Sequence, residues 1–236
     1  TGSSRFPNKV LKKIGKRTLI EFIIDRLKKI KRKNKIILAT TKKNEDLALI
    51  KIAKKNQIDF FRGSENNVYK RVLDAAKKFK IDDILEICGD CPLLDTNIME
   101  KQIETYYKKK FDYVGSDLNK TFPLGVEGKI FSTKVLEKCK KFNLTRADKE
   151  NVSLFIYEHP KIFNIHIYKA RKKLNRPDIS LVVDYPEDLK IVKLIDKKLN
   201  RKVYDTLDVI SFLDKNNNLK KKLASLKRVK VAGRDE

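Results

Sequence analysis

The chain has 236 residues, of which 56 are Lys or Arg and 31 are Asp or Glu, for a formal net charge of +25. This length suits one α/β domain with a small appendage, and no apolar run approaches the roughly 20 residues that a membrane-spanning helix needs. The charge favours nucleic-acid binding, but the lysines are spread over nearly every predicted helix, and the sequence has no RNP-type aromatic motif, zinc-finger spacing or basic heptad. We therefore expect no specific nucleic-acid partner, and a positive surface that attracts nucleoside triphosphates and acidic sugars.

The chain contains three cysteines and no secretory signal. An odd number of cysteines without such a signal is typical of a reducing compartment, so we expect a cytoplasmic protein. Cys88 and Cys91 have the spacing of a redox C-x-x-C motif. Pro92 follows them and Asp90 lies between them, which favours a metal-binding motif and leaves redox activity as the minor alternative.

Short strands and amphipathic helices alternate along the first half of the chain. Thr18 and Glu21 form a capping box for a helix that reaches about residue 30. Apolar runs predict buried strands at 36–39, 58–61 and 84–88. Helices are predicted to begin at Asn44, at Asn66 or Asn67, and after Asp95, the last of them over about 98–109. This alternation is the βαβ pattern of an open, mostly parallel sheet.

The second half of the chain departs from this pattern. We predict strands at 113–116 and 126–131, helices at 133–139 and 147–159, an antiparallel, one-sided strand at 163–168 and a buried strand at 180–183. Pro186 then opens a helix that ends near residue 199. Residues 120–180 are expected to face a substrate or to form a dimer, so a homodimer is left open. Residues 200–236 are expected to form a Lys- and Asn-rich C-terminal helical extension.

Two acidic residues, Asp90 and Asp184, each follow a predicted buried strand. Open α/β sheets place their ligands at the carboxyl ends of strands. A pair of carboxylates from neighbouring strand ends suits one Mg²⁺ on a triphosphate, because Mg²⁺ prefers oxygen ligands and keeps phosphates and waters in its other positions. Taken singly, each residue is more often a helix cap or a turn residue.

The N-terminal segment is a candidate phosphate-binding loop. Small residues there allow successive backbone N–H groups to point at one spot. These residues are Gly2, Ser3 and Ser4. Arg5 can grip two phosphate oxygens with its planar guanidinium, and Lys9 adds a compact positive charge. The alternative is a solvated, disordered N-terminus.

Five motifs in order resemble those of sugar nucleotidyltransferases. The first is residues 1–11 (TGSSRFPNKVL), and the others are 39–41 (ATT), 62–68 (RGSENNV), 89–95 (GDCPLLD) and 183–189 (VDYPEDL). The resemblance is closest to the spore-coat polysaccharide biosynthesis protein F family of cytidylyltransferase-like proteins, which is related to the synthetases of CMP-activated acidic sugars. That family's loop reads Gln-Ala-Arg-x-Gly-Ser-x-Arg-Leu-Pro-Gly-Lys-Val-Leu and follows a first β-strand. Neither that strand nor the Gln-Ala-Arg occurs in this sequence, so we expect a chain without the first strand.

The resemblance implies the three-layer α/β/α fold of nucleotide-diphospho-sugar transferases, which is GT-A-like and Rossmann-like, with a mixed, mostly parallel sheet. Residues 1–199 would form the nucleotidyltransferase domain. The implied reaction transfers CMP from CTP to a hydroxyl of a sugar or sugar acid and releases pyrophosphate, in the synthesis of surface polysaccharide or glycoconjugate precursors.

The resemblance also implies roles for particular residues. Arg5, Lys9 and Asp90 would be catalytic, and Asp90 and Asp184 would bind Mg²⁺. Lys129 stands where the family has Glu. The implied nucleotide-binding residues are Gly2, Ser3, Ser4, Arg5, Lys9, Thr40, Ser64, Arg71 and Asp90, and the implied substrate-binding residues are Gly125, Glu127, Glu150 and Asn151.

Three alternatives remain at this point. A glycosyltransferase of the same fold would also need acidic metal ligands, but Arg5 and Lys9 favour nucleotidyl transfer, in which a leaving pyrophosphate must be held. A non-enzymatic nucleic-acid-binding module is supported only by the net charge. Absence of the central first strand would make the chain an inactive fragment.

Overall fold

The computed structural model describes residues 5–200 and 204–225, so the predicted loop residues Gly2, Ser3 and Ser4 lie outside the described residues. In the described part of the chain, short strands alternate with helices as the sequence predicts. The strands there are β1 (Lys13–Ile14), β2 (Arg17–Thr18), β3 (Ile37–Thr41), β4 (Asp59–Gly63), β5 (Asp83–Glu86), β6 (Tyr113–Gly115), β7 (Lys129–Ser132) and β8 (Ile165–Ile167). The α-helices there are α1 (Leu19–Leu27), α2 (Leu47–Lys55), α3 (Val68–Lys78), α4 (Thr96–Lys109), α5 (Thr133–Lys138), α6 (Arg146–Glu150), α7 (Leu154–Glu158), α8 (Pro186–Leu199), α9 (Thr206–Asp214) and α10 (Asn217–Ser225).

The strands form a mixed arrangement. β3 and β4 pair in parallel, while β1 and β2 form a small antiparallel hairpin. The largest sheet has the order β5-β7-β6-β8. β7 is antiparallel to β5 and β6, and β6 is parallel to β8. Hence β5, β6 and β8 run in one direction and only β7 of this sheet runs in the other.

Helices cover both faces of this sheet. Successive side chains of a strand point to opposite faces. Val114 and Ile130 belong to a core that contains buried residues of α1, α4, α8 and α9. Their chain neighbours Tyr113 and Phe131 belong to a second core, built with α3 and α5 to α7. Two cores on opposite faces of one sheet give the three-layer α/β/α fold that the sequence predicts.

The predicted helix starts are mostly confirmed. Thr18 Oγ1 accepts the N–H of Glu21, and the Glu21 carboxylate accepts the N–H of Thr18, so the capping box is present. Asn67 caps α3, and Pro186 is the first residue of α8. The prediction for Asn44 is wrong, because Asn44 begins a 3₁₀ turn that ends before α2.

Three predictions in the second half are corrected by the structure. The predicted helix 147–159 is split into α6 and α7, because the backbone of Asn151 leaves the helical region at the end of α6, with φ −121° and ψ 95°. The strand in 163–168 is parallel to β6, since a long connection through β7 and three helices returns the chain to the same end of the sheet. Residues 180–183 form only one bridge, between Leu124 and Ser180.

The end of the described chain packs on the same core as the helices before it. Tyr204, Val209 and Leu213 are buried in the core shared with α1 and α8. The Thr206 N–H and hydroxyl donate to Asp95 Oδ2 at 2.9 and 2.8 Å. Asp95 therefore anchors α9 as well as capping α4, and the predicted boundary at residue 199 does not coincide with an edge of this core. None of the described helices is long and apolar enough to cross a membrane.

Candidate active site at the carboxyl ends of the strands

The two predicted metal-binding carboxylates meet in the structure. Asp90 follows β5, and Asp184 lies directly before α8. The backbone joins the two segments, because the Val183 N–H donates to the Asp90 carbonyl at 2.9 Å. Lys9 Nζ lies 2.7 Å from Asp90 Oδ2 and 3.2 Å from Asp184 Oδ1. One ammonium thus bridges two carboxylates that are 94 residues apart in the sequence.

The predicted arginine contacts the same cluster. Arg5 Nη2 lies 2.9 Å from Asp184 Oδ1. Its guanidinium carbon lies 5.8 Å from the centroid of the Tyr185 ring, within the range of a cation–π interaction. Arg5 and Lys9 therefore place two positive charges beside the two carboxylates.

The backbone conformation of Asn8 brings Lys9 to this position. Asn8 has φ +56°, in the left-handed region, and it caps the 3₁₀ turn Lys9–Leu11. Glycine enters that region freely, and asparagine is among the few other residues that tolerate it. This explains why the resembling loop has Gly where this chain has Asn8.

Asp188 is a residue whose role the sequence analysis missed. It is 1% exposed, and its Oδ2 accepts the N–H groups of both Asp184 and Tyr185 at 2.9 Å. These hydrogen bonds hold the segment that carries Asp184 against the first turn of α8. The signal was present in the sequence, as an acidic residue in the first turn of a helix that begins with Pro186.

Charges nearly balance within the cluster. Asp90 and Asp184 oppose Arg5 and Lys9, and the Lys9 side chain is 11% exposed. Burial lowers the pKa of Lys9. The charges and hydrogen bonds of Asp90 and Asp184 together raise the pKa by more than burial lowers it, so that the pKa of Lys9 lies above its ordinary value. Lys9 is therefore positively charged at neutral pH.

The same geometry shows whether these residues fit a divalent metal. The Lys9 ammonium is a cation held by an oxygen of each carboxylate, so the two oxygens converge on one position. The described chain contains no group of three or more His, Cys, Asp or Glu residues that could hold a metal ion, so this site offers two carboxylates as protein ligands. Two carboxylates leave most coordination positions to phosphates and water, which is how Mg²⁺ is usually bound in nucleotide sites. The residues therefore fit Mg²⁺.

Thr40, Ser64 and Arg71 form a second group, near the carboxyl ends of β3 and β4. The Thr40 hydroxyl is buried and donates to Asp46 Oδ2 at 2.6 Å, as does the Thr41 hydroxyl. Arg71 Nη1 donates to the Ser64 carbonyl at 2.5 Å, whereas its Nε is buried and has no hydrogen-bond partner in the described chain. Burial lowers the pKa of Arg71 despite the charge of Asp46.

Glu127 lines a cavity of about 220 Å³, and Gly125 lies two residues before it in the chain. The Glu127 Oε1 accepts the Ser116 hydroxyl, while its Oε2 and the Ser180 hydroxyl are buried and have no partner among the described residues. Burial raises the pKa of Glu127 to about 8, with the Asp117 charge adding to the effect. A Cβ atom on Gly125 would lie 3.4 Å from Cys91 Sγ, so this region adjoins the Asp90 loop.

Glu150 and Asn151 make local contacts in the structure. Glu150 Oε1 accepts Arg146 Nε at 2.8 Å, and the Asn151 amide donates to the Ala147 carbonyl at 2.9 Å. The structure thus shows both side chains stabilising the end of α6, and their predicted contact with a substrate stays a prediction.

Lys129 makes the most distinctive contacts near this region. It pairs across the strands with Glu86, and its Nζ lies 3.0 Å from Asp117 Oδ1 and 5.6 Å from the centroid of the Tyr157 ring. Burial lowers the pKa of Lys129, but Asp117 and Glu86 outweigh burial and hold the pKa well above its ordinary value. A fixed positive charge therefore stands where the resembling family has a carboxylate.

Cys88 and Cys91 are free thiols that flank Asp90. Cys91 is buried, with its Sγ 3.6 Å from Asp90 Oδ1. A hydrogen bond with Cys88 and burial raise the pKa of the Cys91 thiol well above its ordinary value. The structure thus uses Cys91 to line the carboxylate site, and redox activity stays an untested alternative.

A mixed α/β fold in which Asp90 and Asp184 meet beside Arg5 and Lys9 is typical of nucleotide-binding proteins. A profile of the cytidylyltransferase family matches residues 1–223. The chain belongs to the cytidylyltransferase family, and it is a nucleotidyltransferase by that membership. The resemblance found in the five motifs is confirmed.

Relatives and solved structures agree with this assignment. An uncharacterized protein of Methanocaldococcus jannaschii is 37% identical over 220 residues, which cover 93% of this chain and 89% of the relative. The spore coat polysaccharide biosynthesis protein SpsF of Bacillus subtilis is 27% identical over 221 residues, which cover 91% of each chain. The structure of a cytidylyltransferase from Leptospira borgpetersenii superposes with a TM-score of 0.87 at 28% identity, over 97% of this chain and 95% of that one.

Proposed function

We propose that the protein transfers CMP from CTP to a hydroxyl of a sugar or sugar acid and releases pyrophosphate. The observation that carries the proposal is the convergence of Arg5, Lys9, Asp90 and Asp184 on one position. The name of the Bacillus subtilis relative supports a role in making precursors of surface polysaccharides or glycoconjugates, a reaction that we place in the cytoplasm.

In the proposed reaction, the acceptor hydroxyl attacks the α-phosphorus of CTP. The bond from this phosphorus to the bridging oxygen breaks, and pyrophosphate leaves with the negative charge. Such transfers depend on positioning and charge neutralisation more than on covalent catalysis. Arg5 and Lys9 provide positive charge for the β- and γ-phosphates, where that charge develops.

The proposed metal site consists of Asp90 and Asp184. Mg²⁺ bound there would neutralise phosphate oxygens and make phosphorus more electrophilic. Asp188 keeps the Asp184 segment in place through the hydrogen bonds that it accepts from the Asp184 and Tyr185 N–H groups. The reaction also releases a proton from the acceptor hydroxyl, and we assign no residue as its acceptor.

The remaining predicted residues are proposed to bind the rest of the two substrates. The nucleotide would be surrounded by the N-terminal loop, Thr40, Ser64 and Arg71. The buried Arg71 Nε supports this, because it is a hydrogen-bond donor that has no acceptor among the described residues. The cavity beside Glu127 would receive part of the acceptor, and its unpartnered carboxyl oxygen could bind a sugar hydroxyl. Gly125, Glu150 and Asn151 remain proposed contacts of the same substrate.

Thermal-shift measurements with the four common ribonucleoside triphosphates and with nucleoside-diphosphate sugars, each with Mg²⁺, test which nucleotide the protein binds. We expect CTP to raise the melting temperature most, because a ligand that binds only the folded state stabilises it more, the further its concentration exceeds its dissociation constant. Asp90→Asn should remove that response, whereas Asp74→Asn, in an exposed ion pair with Lys70 on α3, should retain it. Equal responses to all four nucleotides, or a response only to nucleoside-diphosphate sugars, would contradict the proposal and favour a glycosyltransferase.

A further inference from the structure

Lys9 holds the position that a metal ion would need. Its ammonium is within hydrogen-bond distance of one oxygen from each carboxylate, at 2.7 and 3.2 Å. The three side chains are 11% to 26% exposed, so water screens this contact only in part. Asp184 Oδ1 also accepts Arg5, which means that a single oxygen already serves two cations.

A divalent metal cannot share these oxygens with Lys9. Mg²⁺ requires oxygen ligands at about 2.0–2.1 Å in near-octahedral geometry. An ammonium that donates to the same oxygens would lie within a few ångströms of the metal, where two positive charges repel strongly because screening is incomplete. A metal that binds the same two oxygens, Asp90 Oδ2 and Asp184 Oδ1, therefore requires Lys9 Nζ to leave them. Lysine can do this, since its charge sits on a flexible four-carbon chain.

Replacement of the Lys9 ammonium by a metal is favourable only if the ammonium finds another anion. If the metal arrives alone, Lys9 loses both carboxylates and gains no anion in return. If the metal arrives with a triphosphate, phosphate oxygens become available to Lys9 at the moment when the carboxylates turn to the metal. Each charge then keeps a partner, which matters because an unpaired charge in a partly buried site is costly.

We propose that Lys9 is the counter-ion of the Asp90–Asp184 pair and gives way to the divalent metal when metal and nucleotide bind together. The inference rests on the proposed function and extends it to the order of binding. Lys9 would thus suppress binding of metal alone and transfer its charge to the phosphates when both ligands are present. Because coupling between two ligands is reciprocal, metal and CTP would strengthen each other's binding by the same factor.

Titration of Mn²⁺ followed by its paramagnetic resonance signal tests the exchange without measuring activity. Three proteins with the whole 236-residue sequence are compared, each with and without CTP: the wild type, Lys9→Met and the control Lys77→Met. Lys77 pairs with Glu137 in an exposed ion pair between α3 and α5, so the control removes one positive charge away from the site. Any general effect of the net charge of +25 therefore appears in both variants.

We expect Lys9→Met to bind Mn²⁺ alone more tightly than the wild type by roughly tenfold or more, because the competing charge is gone. Lys77→Met should bind Mn²⁺ as the wild type does. The factor by which CTP strengthens Mn²⁺ binding should be large in the wild type and in Lys77→Met, and should fall in Lys9→Met. Unchanged or weaker binding of Mn²⁺ alone by Lys9→Met would overturn the proposal.

Folding of the variant is checked by circular dichroism. If Lys9→Met is unfolded, Lys9→Gln is measured in its place, and recovery of the fold on addition of Mn²⁺ would support the exchange. Failure of both variants to fold with Mn²⁺ would overturn it, because the metal would then not replace the ammonium. CTP selectivity of the wild type tests the proposed function separately, so the two proposals can fail independently.

Discussion

Replacing Asp188 with Ala should weaken both the fold and the reaction, because this carboxylate accepts the N–H groups of Asp184 and Tyr185. A buried donor left without an acceptor costs about 1–3 kcal/mol, and two are affected here. Some rehydration will offset this cost, so we expect a loss of about 2–4 kcal/mol in the free energy of unfolding. Asp184 would also lose its fixed orientation.

The effect on turnover follows from the position of Asp184. Partners that orient a metal ligand typically contribute tenfold to hundredfold in activity, and we expect a fall of about that size in kcat for Asp188→Ala. Asp188→Asn keeps an oxygen that can accept both N–H groups, so it should lose less stability and retain more turnover. A higher Mg²⁺ requirement in the alanine variant, but not in the asparagine variant, would separate orientation of Asp184 from a general loss of folding.

The assays are urea unfolding and release of pyrophosphate from CTP. Glu187→Ala is the matched control, because Glu187 lies in the same helical turn but is partly exposed. Its ion pair is a long surface contact in which Glu187 Oε1 lies 3.9 Å from Lys190 Nζ. We expect it to change stability by no more than about 0.5 kcal/mol. If Asp188→Ala were as stable as this control, or folded and fully active, the positioning role assigned to Asp188 would be refuted.

Three further predictions concern the core, the cavity and a strained turn. Thr206→Val removes a buried hydroxyl that donates to Asp95, and should cost about 1–2 kcal/mol in urea unfolding. The pKa of Glu127 is raised from 4.5 to about 8 in the folded protein, so between these pH values the folded state holds a proton that the unfolded state releases. The free energy of unfolding should therefore fall as pH rises from about 4.5 to 8. Urea unfolding across this range should show a smaller fall for Glu127→Gln. Gly125→Ala should lower stability by about 1–3 kcal/mol, because φ is +94° and the new Cβ would lie 3.0 Å from Val182 Cγ2; a melting temperature equal to the wild type would contradict this.

Local rules predicted the elements that position the site. The Thr18–Glu21 capping box and the start of α8 at Pro186 each depend on residues within one turn, and both are present. The meeting of Asp90 and Asp184 was predictable for another reason: each follows an apolar segment, and parallel segments in an open α/β sheet end at the same edge. The order of the five motifs along the chain, in addition, indicated the family.

Contacts whose partner depends on the tertiary structure were not predictable from local rules. The alternation in 163–168 indicated a one-sided strand but contained no information about its partner, and β8 proved parallel to β6. The hydrogen bond from the Thr40 hydroxyl to Asp46 was not predicted, because it depends on how the loop after β3 folds. In each case the sequence specified a local preference and the tertiary structure selected among its partners.

The charge of the whole protein and the charge of the site have different roles. Arg5 and Lys9 are matched by Asp90 and Asp184, so the site itself is close to neutral, whereas the chain carries a net charge of +25. A neutral, paired cluster can be held in place by the fold, since its charges need no ligand to be satisfied. The surrounding lysines act over longer distances and favour the approach of polyanionic ligands in a salt-dependent way. In the function that we propose, selectivity comes from the paired cluster, because a triphosphate that arrives with a divalent metal would satisfy all four side chains at once, whereas a generic polyanion supplies no cation for the carboxylates.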